Sequence, residues 1–189
     1  MNSLENSIQH YFSVNANELS IIANSFNQTS LSKGRSITKK GQICKQLVFV
    51  KSGLLRVYTT QNNKEITQWI CTPGTFATEL SGLLFNQPSR WNIEAMIDCE
   101  LFVLDESAYA EMPNKLNKWT EIEKLFIGKC FTILEDRVFS FLSMTAEQRY
   151  QMLIENHKDF LKDVPQQYLA SMIGMTPETF SRLRKKTVS

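Results

Sequence analysis

Apolar and polar positions change their spacing along the chain. Val14, Leu19, Ile22, Ala23 and Phe26 fall near helical spacing, so the first thirty residues are expected to be helical. From Gly34 to about Asp105 the runs become short and β-rich: Arg35–Thr38, Leu47–Val50, Leu54–Thr60, Ile66–Cys71, Trp91–Ile97 and Leu101–Leu104. Turn residues separate them at Gly41, Ser52-Gly53, Gln61-Asn62-Asn63-Lys64 and Pro73-Gly74. Leu55-x-Val57 and Ile93-x-Ala95-x-Ile97 alternate as half-buried strands do. Many short strands at this spacing predict a sandwich, roll or barrel, with a short helix over Thr78–Phe85.

After Pro113 the spacing becomes helical and stays so. Between Ile122 and Leu142 the apolar positions cover a wider arc than the single stripe of an ordinary surface helix. Such a helix either packs on its own domain and on a symmetric copy, or lies fully buried in a monomer. Its uninterrupted length favours the copy, with Ile133, Val138 or both facing it. The joint to the C-terminal segment is expected around Ser143–Gln148.

The C-terminal stretch Gln166–Lys186 reads as two helices around a sharp turn. The first spans Gln166–Ile173, with Ala170 small enough for a close crossing and Leu169 and Ile173 on the inner face. Gly174 permits the left-handed backbone of the turn. Thr176 suits the N-cap and Pro177 the first position of the second helix, from which Phe180 and Leu183 pack inward. Glu178, Thr179, Ser181, Arg182 and Lys185 are left to face outward, joined by Gln167, Thr176 and Lys186 as candidate DNA contacts. Arginine can bond guanine O6 and N7 together, a carboxylate can accept from cytosine N4, and trailing lysines suit phosphates.

Charge sharpens this reading. Residues 1–144 carry 14 basic and 14 acidic side chains, residues 145–189 seven and five, so the C-terminal segment holds the whole excess of +2. A basic cluster on a neutral body suits a polyanion, although cations also favour helix C-termini. Cys44, Cys71, Cys99 and Cys130 form no C-x-x-C pair, which argues against zinc and iron–sulfur sites and for buried, inert thiols. His10 and His157 both lie outside the β-region, so neither a metal-dependent β-roll enzyme nor a nucleophilic triad is expected. No apolar run approaches bilayer length and the N-terminus lacks a signal-peptide layout, so a cytoplasmic location is expected.

The layout resembles the Crp/Fnr (catabolite activator / fumarate-nitrate regulator) family over nearly the whole chain, most closely its short members from Bacteroidetes. Gly34, Gly41, Gly53 and Gly74 sit where its cyclic-nucleotide-binding β-roll has turn glycines, and Glu178 and Arg182 match the Glu-then-Arg spacing of its recognition helix. Pro177 replaces an arginine that well-known members carry before that Glu, and no counterpart of their C-terminal β-wing follows before Ser189. The resemblance implies an α+β fold in three parts. Residues 1–115 form a β-roll (a double-stranded β-helix), residues 116–145 a dimerisation helix and hinge, and residues 146–189 an all-α helix-turn-helix domain. It implies a homodimeric, double-stranded-DNA-binding transcription regulator, working with RNA polymerase if it activates, and no enzyme. The alternative is a ligand-binding module of the same type without DNA binding.

In nucleotide-binding members a segment opening in Gly-Glu and closing in Arg-Ser or Arg-Thr holds the ligand: the glutamate takes a ribose hydroxyl, the arginine and a helix N-terminus the phosphate. Glu79, Leu80, Ser89 and Arg90 are the corresponding candidates. Thr78 replaces the glycine and Arg90 is one residue out of register, which in a strand turns a side chain to the other face. The expectation is a roll that does not bind cyclic AMP, serving as scaffold or binding another ligand, with no cofactor.

Overall fold

The computed structural model describes residues 3–157 and 160–188. The N-terminal segment holds two helices and a strand. Helix α1 (Ser3–Phe12) ends at Ser13, whose φ of 52° leaves the helical region. Helix α2 (Ala16–Asn24) opens on a capping box between Asn15 and Glu18. Strand β1 (Asn27–Leu31) departs from the helical expectation. It is an almost wholly exposed edge strand, so its residues carry no alternation to betray it.

Seven further strands follow: β2 (Ser36–Thr38), β3 (Leu47–Ser52), β4 (Leu55–Gln61), β5 (Lys64–Cys71), β6 (Phe76–Ala77), β7 (Asn92–Ala95) and β8 (Cys99–Leu104). They form two four-stranded sheets, ordered β1-β8-β3-β6 and β2-β7-β4-β5. The central pair β3–β8 is antiparallel, from Leu47 opposite Leu104 to Val50 opposite Leu101, with a register shift before Ser52. Leu47, Val48, Phe49 and Val50 are all buried because both faces of β3 are covered. Leu47 and Phe49 join the helical cluster of Leu4, Ile8, Phe12 and Ile22, and alternation turns Val48 and Val50 to the opposite face. All four turn glycines have positive φ. At Gly53 a Cβ would also stand 2.5 Å from Cys99 Sγ, so no other residue fits.

Helix α3 (Leu80–Phe85) lies between β6 and β7. Helix α4 (Glu106–Lys115) begins before the expected helical region and runs through Pro113. Asp105 caps it by accepting from the Ala108 amide at 2.9 Å. Pro113 sits in its last turn, so its missing amide costs the helix one bond near its end and breaks no long run. Helix α5 (Trp119–Ser143) comes next. Its first half buries Trp119, Ile122 and Phe126 against α1, with the Phe12 and Phe126 rings stacked at 4.7 Å. Helices α6 (Ala146–Asn156), α7 (Phe160–Asp163), α8 (Gln166–Met172) and α9 (Pro177–Val188) complete the chain.

Two compact units result: Met1–Val57 with Ile70–Cys130, and Tyr58–Trp69 with Phe131–Ser189. The outer part of the β4–β5 hairpin thus belongs with the C-terminal helices. Among the described residues no helix is long and apolar enough to cross a membrane.

Candidate nucleic-acid interface and ligand pocket

Helices α8 and α9 owe their relative placement to a small core. Leu169, Ala170 and Phe180 have no exposed surface, and Phe180 meets the Tyr150 ring of α6 edge-on at 5.2 Å. Between the helices Gly174 has a φ of +67°, and a Cβ there would stand 2.5 Å from Phe141 Cε1. The turn is therefore closed to a side chain on two counts. Thr176 Oγ1 accepts from the Thr179 amide at 3.3 Å and Pro177 opens α9.

Burying Phe180 and Leu183 leaves Glu178, Arg182, Lys185 and Lys186 on the exposed side of the helix, with Ser181 and Thr179 half-buried. Glu178, Ser181, Arg182 and Lys185 come together with Gln166 and Pro177 around an open hollow of about 640 Å³. Gln167 and Thr176 do not line it. Lys186 Nζ pairs instead with Glu147 Oε1 at 2.8 Å. The Glu178 carboxyl is held below its ordinary range by its own backbone amide and the Thr176 hydroxyl, with a smaller contribution from the Lys64 cation. It is charged near neutral pH.

Two residues the sequence reading passed over anchor this unit. Arg137 donates from Nη2 to the Met172 carbonyl at 2.7 Å, and Arg149 donates from Nε to the Ile173 carbonyl at 2.9 Å. These carbonyls close α8, where helix geometry leaves acceptors without intrahelical partners and where cations are favoured. The Arg137 guanidinium also lies 5.1 Å from the Trp69 ring and 5.4 Å from Phe141. Burial pushes its pKa down to about 10, still charged at neutral pH. The available sign in the sequence was an arginine at the start of an aromatic-rich turn, four residues before Phe141.

The second half of α5 presents an apolar stripe. Phe131, Leu134, Val138 and Leu142 recur every three or four residues and are 64%, 49%, 51% and 82% exposed. Ile133 falls outside this stripe and is half-buried, so Val138 is the member of the expected pair that faces outward.

In the roll the four pocket candidates have different surroundings. Glu79 is 7% exposed and accepts from the Gly82 amide at 2.7 Å, capping α3. Ser89 is buried, donating to the Trp91 carbonyl at 2.7 Å and accepting from the Trp91 amide at 3.1 Å. Leu80 is half-buried and Arg90 exposed. Thr78, at the position of the expected glycine, donates to the Gln46 carbonyl at 2.9 Å. Among the described residues no group of three or more His, Cys, Asp or Glu is placed to hold a metal. Burial pushes the Cys71 thiol up to about 12 and Cys130 up to about 11, which keeps both protonated and unreactive.

Comparison with known proteins agrees with this architecture. Residues 28–115 match the family model of the cyclic nucleotide-binding domain. No curated protein sequence matches the chain. FixK2 from Bradyrhizobium japonicum superposes with a TM-score of 0.71 at 17% identity, over 86% of this chain and 84% of that one. A protein from Eubacterium rectale described as a Crp/Fnr-family transcriptional regulator gives 0.70 at 17% identity, over 97% and 88%. The c-di-GMP-responsive global regulator CLP of Xanthomonas campestris gives 0.69 at 14% identity, over 92% of each chain. Residues 28–115 thus resemble the cyclic nucleotide-binding domain, and the chain has the fold of these three solved structures.

Proposed function

We propose that the protein is a homodimeric, sequence-specific DNA-binding transcription regulator and not an enzyme, acting in the cytoplasm and through RNA polymerase where it activates. The observation that carries this is the split of α9. Phe180 and Leu183 are buried, whereas Glu178, Arg182 and Lys185 gather around one open hollow. A helix held this firmly, with hydrogen-bonding and cationic residues along its free face, suits insertion into a major groove. Selection of bound fragments from random duplex DNA tests the reading. A palindrome with half-sites about one helical turn apart is the expected product. Recovery of no common sequence contradicts it.

The dimer rests on the α5 stripe. Phe131, Leu134, Val138 and Leu142, spaced by three, four and four, share one helix face as the seam of paired helices does, and contiguous exposed apolar surface marks interaction sites. Val138→Glu places a charge in that seam and is expected to convert the protein to monomer in sedimentation at micromolar concentration. An unchanged dimer places the interface elsewhere.

The roll is proposed to regulate without taking cyclic AMP through the four candidate residues. The Glu79 carboxylate is engaged by the Gly82 amide and Arg90 is exposed. Calorimetry is expected to show no binding at low micromolar cyclic AMP.

A further inference from the structure

The outer part of the β4–β5 hairpin is built like something more than a loop. Its turn residues, Gln61 to Lys64, are exposed. Yet Thr67, three residues into β5, is 1% exposed. Strand β5 lies at the edge of its sheet, where backbone amides need acceptors from outside it. The Thr67 amide finds one on α8, donating to Ser171 Oγ at 2.9 Å. Two residues further along, the Trp69 ring lies beneath the Arg137 guanidinium, and Arg137 bonds the carbonyl of Met172, the neighbour of Ser171. At the start of β5, Lys64 is close enough to Glu178 for its charge to act on that carboxyl. One strand therefore meets the end of α8 directly at Ser171 and through Arg137 of α5 at Met172, and lies near the start of α9. Pro177 opens α9 four residues after Ile173, so the direction of α9 is set by how α8 ends.

We propose that the β4–β5 hairpin is a strap that orients the recognition helix, with Thr67 and Trp69 acting through Ser171 and Arg137 as positioning residues for base reading by Glu178 and Arg182. This rests on the DNA-reading function proposed above. The strap works on alignment and not on contact. Base hydrogen bonds demand it, because bidentate pairing fails when the helix tilts, whereas phosphate attraction tolerates a tilt.

The test is a set of three substitutions in the full chain: Ser171→Ala, which removes the acceptor; Ser171→Thr, which keeps a hydroxyl; and Trp69→Ala. Ser171→Ala is expected to lower affinity for the selected palindrome roughly threefold to tenfold, the worth of one hydrogen bond. Affinity for scrambled duplex and its salt dependence should stay as in the wild type. Ser171→Thr should restore the preference, and Trp69→Ala should reduce it similarly. Amide hydrogen exchange of the DNA-free protein supplies an independent readout. Ser171→Ala should speed exchange at Thr67 and across Met175–Phe180. Equal losses on palindrome and scrambled DNA, no loss in either alanine variant, or unchanged exchange would each overturn the strap. Failure of the wild type to prefer any sequence would instead defeat the DNA-reading function, leaving exchange to decide whether the hairpin holds α9.

Discussion

In the roll, Glu79 is buried and its carboxylate is occupied by the Gly82 amide, while in the C-terminal unit Glu178 is exposed beside a hollow that it shares with Arg182. Both glutamates sit at the start of a helix and both match a family spacing by residue type. Both carboxylates accept local hydrogen bonds, and the difference lies in whether the groups they serve are buried. Removing the Glu79 carboxylate leaves a buried amide without its acceptor, at a cost to folding. Arg182, on the free face of α9, supports no buried group among the described contacts, so its identity is open to selection by a partner. Two motif matches thus differ in burial: Glu79 lies inside the roll, and Glu178 lies on the surface where the proposed reading needs it.

Substitutions can break this contrast in order of size. Phe180→Ala should cost about 3–5 kcal/mol, because it empties the core that holds α9 against Tyr150. Chemical denaturation should show the loss in the C-terminal unit, since Phe180 is not part of the cluster around Phe12 and Phe49. A uniform loss in both units would contradict this. Arg182→Ala should cost roughly 1–3 kcal/mol in affinity for the selected site and nothing in melting temperature. Glu79→Ala should show the reverse, losing about 1 kcal/mol of stability with DNA affinity unchanged. A Glu79→Ala protein of full stability would return that residue to the pool of ligand contacts. Smallest of all, Glu147→Ala should free Lys186 from its ion pair and strengthen binding to scrambled DNA by less than about tenfold. Lys186→Ala should do the opposite, flattening the salt dependence by about one charge per subunit.

The helix-turn-helix was legible in the sequence because its determinants are local: a small residue at 170, a glycine at 174, a cap at 176 and a proline at 177 each fix one piece of backbone. Strand β1 was not, since an exposed edge strand of polar residues is defined by pairing with the distant strand β8. Helix α4 was masked by Pro113, which reads as a breaker but falls in a last turn. The roles of Arg137 and Ser171 were invisible for a different reason: both depend on which carbonyl or amide the fold carries to them. At Glu79 residue type and spacing match the family, and the bond of its carboxylate to the Gly82 amide is set by the fold of α3.

A regulator of the proposed kind has two copies of α9 reading one groove face of a symmetric site. Methylation protection of guanine N7, with the wild-type protein on its selected DNA, measures this directly because that atom lies in the major groove. The expected result is two protected guanine sets related by a two-fold axis, centred about 34 Å apart, and loss of that protection in Arg182→Ala. Protection at a single unpaired set, or a pattern that Arg182→Ala leaves unchanged while the protein stays folded and bound, would contradict it.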